Sequence, residues 1–215
     1  MELYGDRAGL YGLAERGMYY RAINPTPGTG IAQSIQASFL ATNGALYIGN
    51  GATGGDTRRI FLDYVRLIPT VVPASATRSE MLVALDDIVR YASGGSLLTV
   101  RNVNMDDVTP SIAEVRFGAL TLAAEGANVR RVSRAQLRTA IPVAFEEFLL
   151  TFAGFDRSGA GSIAGATGLR VAVPVGPVII GPGDSLVLHL WHPGNVTTAA
   201  SWEVEVALWE ARKWN

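Results

Sequence analysis

The sequence predicts an all-β protein, a two-sheet β-sandwich of jelly-roll type with an extended N-terminal arm. From residue 29 onward, short apolar runs alternate with clusters of turn-forming residues, which is typical of sandwiches and barrels. No long helical pattern interrupts these runs, and about ten of them read as strands. No linker or internal repeat divides residues 29–215, so we expect one sandwich domain preceded by an arm of residues 1–28.

Three stretches carry the clearest strand patterns. Residues 59–68 are apolar on both faces, which favours an interior strand. Strict alternation there puts one set on one face, Ile60, Leu62, Tyr64, Arg66 and Ile68, and the other set on the opposite face, Phe61, Asp63, Val65 and Leu67. Residues 185–191 and 202–209 alternate as well. Leu186, Leu188 and Leu190 are predicted to share one face, and Val204, Val206 and Leu208 are predicted to point inward.

One stretch is ambiguous between a strand and a helix. Residues 81–87 fit both periodicities. The turn-forming residues 93–96 lead directly into another apolar run, which favours a strand for residues 81–87.

The first 28 residues differ from the rest of the chain. Apolar residues between 10 and 21 recur at the spacing of a short amphipathic helix, although two glycines in this stretch disfavour it. Residues 24–28 then break any helix. Flexible termini are seldom this aromatic, so we expect the arm to lie on another surface. Its predicted interface residues are Tyr4, Tyr11, Met18, Tyr19 and Tyr20.

Composition favours a subunit that lies against its neighbours. Hydrophobic residues make up 48% of the 215 residues and charged residues only 17%, below the roughly one quarter of an average soluble chain. Such a neutral surface suits assembly, although a well-packed monomer with a polar, uncharged surface remains the alternative.

Charge and residue types exclude several classes of partner and site. The net charge of −1 predicts no general attraction to nucleic acid or to a membrane. The absence of cysteine excludes disulfides and thiolate chemistry. We find no signal peptide, and the most apolar stretch, 169–180, is too short and interrupted for a membrane helix, so we expect a soluble protein made in a cytoplasm.

The candidate catalytic and metal-binding residues do not form a recognisable set, and no cofactor is expected. His189 and His192 are three apart and face opposite sides of a strand, so structural roles are predicted for both. The adjacent acids at 86–87, 106–107 and 146–147 also diverge, although one member of each pair could still converge in space.

Two loops resemble ligand-binding loops only weakly. Residues 102–106 are a faint calcium pattern, and we expect a solvated turn there. The glycine-rich loop 49–56 leads into a strand and lacks the Gly-Lys-Ser/Thr ending of a phosphate-binding loop.

The densest basic stretch contains Arg130, Arg131, Arg134 and Arg138. No aromatic residues lie between these arginines, so nucleic-acid binding is disfavoured. Arginine is common at protein interfaces, and we predict that Arg130, Arg131 and Arg134 contact another subunit, paired with acidic neighbours.

A family resemblance is carried by residues 178–191, with their Pro-Gly-Asp turn, by 201–210, and by 59–68 with 85–87 and 90–91. These runs resemble virion proteins of tailed bacteriophages, and over about residues 28–210 the chain is similar to jelly-roll head decoration (cement) proteins. The resemblance implies a non-enzymatic structural protein, a homotrimer seated on the major capsid protein at the capsid surface. It also implies assembly in the host cytoplasm and an N-terminal arm that reaches a neighbouring subunit.

Two other function classes remain open. A tail or spike protein that binds a host-surface glycan would use exposed aromatic residues such as Trp209 and Trp214 as a sugar platform. An enzyme of the glycoside-hydrolase or cupin type is disfavoured by the missing residue sets.

Overall fold

The computed structural model describes residues 6–73, 75–138, 144–152 and 170–212. Within these residues the chain forms one helix and fourteen strands. The helix is α1 (Asp6–Glu15), and the strands are β1 (Tyr19–Ile23), β2 (Ile31–Ala32), β3 (Asn43–Asn50), β4 (Arg58–Val71), β5 (Ser79–Asp86), β6 (Tyr91–Leu98), β7 (Val100–Asn102), β8 (Ala113–Leu122), β9 (Arg130–Arg138), β10 (Glu147–Thr151), β11 (Arg170–Pro174), β12 (Ile179–Ile180), β13 (Ser185–Trp191) and β14 (Ser201–Arg212).

The strands form two sheets. Sheet A has the order β11-β10-β4-β14-β1-β7, with β12 paired to β4 and β2 paired to β14. Sheet B has the order β6-β8-β3-β13-β5-β9. Successive strands β3, β4 and β5 alternate between the sheets, and the late strands β13 and β14 insert between the early ones. This winding of an antiparallel chain across two sheets is the jelly-roll arrangement, and the predicted fold class is confirmed.

A single large apolar cluster fills the space between the sheets. Trp202 and Tyr20 are its largest members, each 1% exposed. The leucines predicted to share one face of β13 and the residues predicted to point inward from β14 all belong to it, because both strands alternate regularly over these positions. Strand β5 confirms the strand prediction for residues 81–87.

A β-bulge in β4 corrects the predicted faces of that strand. Tyr64 pairs with Ala207 and Leu62 pairs with Leu208, so Asp63 is an extra residue with no partner in β14. Ile60 and Leu62 point into the core before the bulge, and Val65 and Leu67 point into it afterwards. Strict alternation was therefore wrong for half of the strand, whereas its interior position between β10 and β14 is confirmed.

The boundary predicted for the N-terminal arm is also corrected. Strand β1 lies between β14 and β7 in sheet A, and its Tyr20 and Ala22 are 1% and 0% exposed. Strand β1 is thus part of the sandwich, and a truncation at residue 28 would remove an interior strand of sheet A. The sequence prediction missed this short strand because the apolar residues between 10 and 21 also recur at helical spacing. The only described helix, α1, is neither long nor apolar enough to cross a membrane.

Candidate assembly surface

Helix α1 ends in a fixed geometry that orients the residues before it. The N–H of Met18 donates to the carbonyl of Leu13 at 2.9 Å, and the N–H of Gly17 donates to that of Ala14 at 3.0 Å. Gly17 has φ of +66°, the left-handed conformation that completes a Schellman motif. The helix terminus is therefore closed by its own backbone.

Side chains from the end of β7 and from the β7–β8 connection cap further carbonyls at the helix end. Asn104 Nδ2 donates to the carbonyl of Glu15 at 3.1 Å, and Asn102 Nδ2 donates to that of Gly17 at 2.8 Å. Asp107 lies directly on Gly17, since a Cβ atom at position 17 would be 1.6 Å from its Oδ2. We call α1 together with residues 103–112 the helix–loop surface.

The loop is itself stiffened by local hydrogen bonds. The N–H of Asp106 donates to Asn104 Oδ1 at 3.0 Å, and the N–H of Thr109 donates to Asp107 Oδ1 at 2.7 Å. Hydrogen bonding to Thr109 also lowers the pKa of Asp107. The stretch predicted as a solvated turn does contain an exposed turn at residues 105–106, and its Asn104 also contacts the end of the helix.

Three large apolar side chains project from the helix–loop surface into solvent. Met105 and Val108 are each 92% exposed, and Tyr11 is 77% exposed. Val103, in the same loop, is also exposed. Concentrated apolar exposure on an ordered surface is a mark of a contact with another molecule.

The predicted interface residues of the arm fall into different environments. Tyr11 is exposed, and Met18 is half-buried in a shallow cleft that Asp107 also lines. Tyr4 lies outside the described residues.

Tyr19 and Tyr20 correct the interface prediction, because both are buried within β1. Tyr19 donates its hydroxyl hydrogen bond to Asp63 Oδ2 at 2.7 Å. Burial, and then the bond to Asp63, raises the pKa of Tyr19, and burial raises that of Tyr20 to about 12. Tyr19 thus stabilises the bulge at Asp63 and Tyr20 packs in the core, so neither is available to contact another subunit.

The three predicted arginines lie on β9, the edge strand of sheet B, and all are exposed. Arg131 forms a salt bridge with Glu125 at 2.9 Å, and Arg134 forms one with Glu80 at 3.0 Å. Positive charges along a free edge oppose edge-to-edge pairing of sheets, which gives these residues a role within the fold.

The arginines and the tyrosines are not brought together. Strand β9 contacts β11 at one side of the sandwich, whereas β1 lies beside β7 at the other. Contact of Arg130, Arg131 and Arg134 with another subunit stays a prediction.

Both histidines are buried and bonded as structural residues are. His189 Nδ1 lies 2.7 Å from the carbonyl of Asn43, and His192 Nδ1 lies 3.0 Å from Ser79 Oγ. Burial lowers the pKa of both, that of His192 to about 4. Among the described residues, no group of three or more acidic or histidine side chains is placed to hold a metal ion.

The three acidic pairs lie in three separate places. Asp86, at the end of β5, is buried against Arg90 at 3.0 Å, while Asp87 beside it is exposed. The pair 106–107 lies in the helix–loop surface, and the pair 146–147 lies at the start of β10. The members of different pairs therefore do not converge on one site.

The aromatic platform proposed for a sugar is already occupied on one side. Trp209 stacks on Phe61 with ring centroids 3.8 Å apart and planes 4° from parallel. On its other side, across the sheet, Tyr19 pairs with Trp209 in register. Trp214 lies outside the described residues, so its part in a sugar platform stays a prediction.

Met105 and Val108 are the surface residues that sequence reasoning missed. Their signal is two apolar side chains inside the turn-forming stretch 102–110, which was read only for its oxygen ligands. Apolar side chains within a polar, turn-forming stretch seldom reach the core, so they could have been predicted from the sequence to be exposed.

Comparisons with known proteins give no family. No family model matches the sequence, and no curated protein matches it. Among solved structures, the chain is similar to an unassembled KI polyomavirus VP1 pentamer, with 10% identity, coverage of 92% of this chain and 93% of that chain, and a TM-score of 0.30. The human polyomavirus 6 and 7 VP1 pentamers are each 11% identical with TM-scores of 0.25, covering 90% and 93% of this chain and 94% and 97% of those chains. TM-scores this low assign neither a family nor a function, and the fold class rests on the strands and sheets described above.

Proposed function

We propose that this chain is a non-enzymatic virion structural protein, a capsid decoration (cement) protein that stabilises a phage head by bridging capsid subunits. The observation that carries the proposal is the ordered helix–loop surface with its nearly fully exposed Met105 and Val108. The sequence resemblance to head decoration proteins supports a position on the surface of the phage head. The proposed partners are further copies of the chain, as a homotrimer, and the major capsid protein at the capsid surface.

A protein of this kind acts through the free energy of its interfaces. A specific interface of ordinary size buries about 1,600 Å² in total. Several such contacts on one oligomer multiply the effective affinity for the shell, because each contact after the first is intramolecular. A rigid sandwich with a capped helix at its surface loses little conformational freedom on binding, which favours attachment.

The test uses the full chain and phage heads that lack it. The purified protein is added to these heads, and we measure the number of copies bound and the temperature at which the heads disrupt. We expect saturable binding and a higher disruption temperature. Absence of binding to heads, together with specific binding on a glycan array, would reject the cement role in favour of the tail or spike class.

A further inference from the structure

A cleft lies at one end of sheet B, where β5 ends and where β9 and β13 begin. Its volume is about 380 Å³, within the roughly 300–1,000 Å³ that is usual for pockets that hold small ligands. Among the described residues, three aspartates, one arginine, one asparagine and two apolar residues line it. The chemistry of this lining indicates what the cleft can bind.

Two acidic side chains face the cleft from neighbouring strands. Strands β5 and β13 pair up to their last residues at this end, so Asp87 and Asp184, the next residue of each, leave the sheet side by side. One oxygen of each carboxylate accepts an internal hydrogen bond, from Asn128 Nδ2 at 2.6 Å and from the N–H of Gly181 at 3.0 Å. Within the described part of the chain, neither carboxylate forms a salt bridge. Like charges at neighbouring positions of two strands repel each other.

A third carboxylate, at the base of the cleft, has an oxygen without a donor. The Asp86 side chain is 2% exposed, and its Oδ2 accepts from Arg90 Nη1 at 3.0 Å and from the N–H of Gly126 at 2.9 Å. Its Oδ1 is buried and has no hydrogen-bond donor among the described residues. A Cβ atom at Gly126 would lie 2.4 Å from Asp86 Oδ1 and 3.0 Å from Asp87 Oδ1, so the glycine lets both oxygens approach one point. A buried acceptor without a donor is costly, and a ligand that donates hydrogen bonds would relieve this cost.

The charges that line the cleft favour a cation. Arg90 offsets the charge of Asp86, and Arg130, which also lines the cleft, offsets one of the two remaining carboxylates. One negative charge is left over. Arg130 is exposed and forms no salt bridge with the described residues. A positively charged donor therefore gains from the excess charge as well as from the free acceptor.

The size and the walls of the cleft favour a guanidinium group over a metal ion. No three acidic side chains of the described residues are placed to hold a metal ion together, and the cleft is far larger than a single ion. An arginine side chain offers five N–H donors in a planar fork, and its methylene groups pack on apolar residues. Leu85 and Ile179 supply such a wall, and Ile179 is 47% exposed. We propose that this cleft binds an arginine side chain presented by a partner protein.

The experiment titrates the full chain with acetyl-arginine amide and follows the protein by NMR. The reporting signals are the N–H of Gly126, which donates to Asp86, and the side-chain amide of Asn128, which donates to Asp87. We expect saturable shifts of both signals with a dissociation constant in the millimolar range, because a single side chain supplies only a small part of a protein interface. Acetyl-citrulline amide has nearly the same shape without the charge, and it should bind about tenfold more weakly or not at all.

Three variants test the lining residues. Asp87→Asn with Asp184→Asn keeps the hydrogen-bond acceptors and removes both charges, so binding of acetyl-arginine amide should weaken about tenfold or more. Arg130→Gln removes the competing cation and should tighten binding. Asp106→Asn, at an exposed position in the β7–β8 connection, is the matched control and should leave the dissociation constant unchanged. Thermal unfolding of each variant checks that the fold is kept.

Several outcomes would overturn the guanidinium site. Equal binding of acetyl-citrulline amide would show that charge is not recognised, and unchanged binding in the Asp87 and Asp184 variant would show that these carboxylates are not used. A titration with calcium chloride that moves the same signals at micromolar concentration and displaces acetyl-arginine amide would identify a metal site instead. This inference goes beyond the proposed function, and none of these results depends on binding to phage heads, so either can fail while the other stands.

Discussion

Replacing Arg90 with methionine should cost a large part of the stability of the fold. The Arg90 side chain is fully buried and donates from Nε to the carbonyl of Ala123 at 2.9 Å, from Nη2 to that of Ala41 at 2.7 Å, and from Nη1 to Asp86 Oδ2 at 3.0 Å. That oxygen otherwise accepts only the N–H of Gly126, and the buried Asp86 Oδ1 has no partner among the described residues. Arg90→Met therefore leaves a buried carboxylate without its cation, which costs about 3–5 kcal/mol.

The assay is urea and thermal unfolding of the wild type, Arg90→Met and the control Arg131→Met. For a domain of this size each kcal/mol lowers the Tm by about 2–4 °C, so we expect a fall of roughly 6–20 °C for Arg90→Met. Arg131, half exposed beside Glu125, should change stability by about 1 kcal/mol or less. Adding Asp86→Asn to Arg90→Met removes the unpaired charge and should restore part of the loss. A double variant no more stable than Arg90→Met, or equal losses at positions 90 and 131, would refute this reasoning.

Three further changes have expected outcomes from the same structure. Burial lowers the pKa of His192 in the folded state from 6.5 to about 4, so between these pH values the unfolded state binds one more proton than the folded state. The free energy of unfolding should therefore fall by up to about 3 kcal/mol as the pH drops from 6.5 to 4. His192→Asn should remove this slope from the pH profile measured by chemical denaturation. Gly17→Ala should lower the free energy of unfolding by at least about 1–2 kcal/mol, because position 17 has a positive φ and no space for a Cβ. Gly12→Ala, in the open middle of α1, should instead raise it by up to about 1 kcal/mol. Equal changes in Tm for the two variants would contradict the Schellman assignment. Phe145 has φ of 63° and is 68% exposed. Asparagine tolerates this backbone conformation, so Phe145→Asn should raise the free energy of unfolding by up to about 1 kcal/mol, whereas Phe145→Ala should not. A stabilised alanine variant would argue against backbone strain at this position.

The fold class and the late strands could be predicted from the sequence because their signals are local. Leu186, Leu188 and Leu190 alternate without interruption, and so do Val204 and Val206, so period-two reasoning reached the correct faces. These strands lie at the centres of their sheets, where regular pairing on both sides keeps the alternation.

Other features depended on tertiary contacts that no local pattern contains. The bulge at Asp63 reversed the faces of β4, and its signal is a carboxylate whose partner, Tyr19, is 44 residues away. Residues 19–23 became a core strand because β14 and β7 provide partners on both sides, whereas the helical spacing of residues 10–21 pointed elsewhere. Sequence reasoning selected Tyr11 as an interface residue, which stays a prediction, and no local pattern indicated that the exposed Met105 belongs to the loop that contacts the end of the same helix.

The insertion of β13 and β14 between earlier strands has a consequence for biosynthesis. Strand β13 separates β3 from β5, and β14 separates β4 from β1, so neither sheet has its central strand until these two segments have been made. Chains emerging before then carry apolar strands with unpaired edges, the state most prone to aggregation. Because most contacts in this fold join residues far apart in sequence, closure of both sheets should be late and slow.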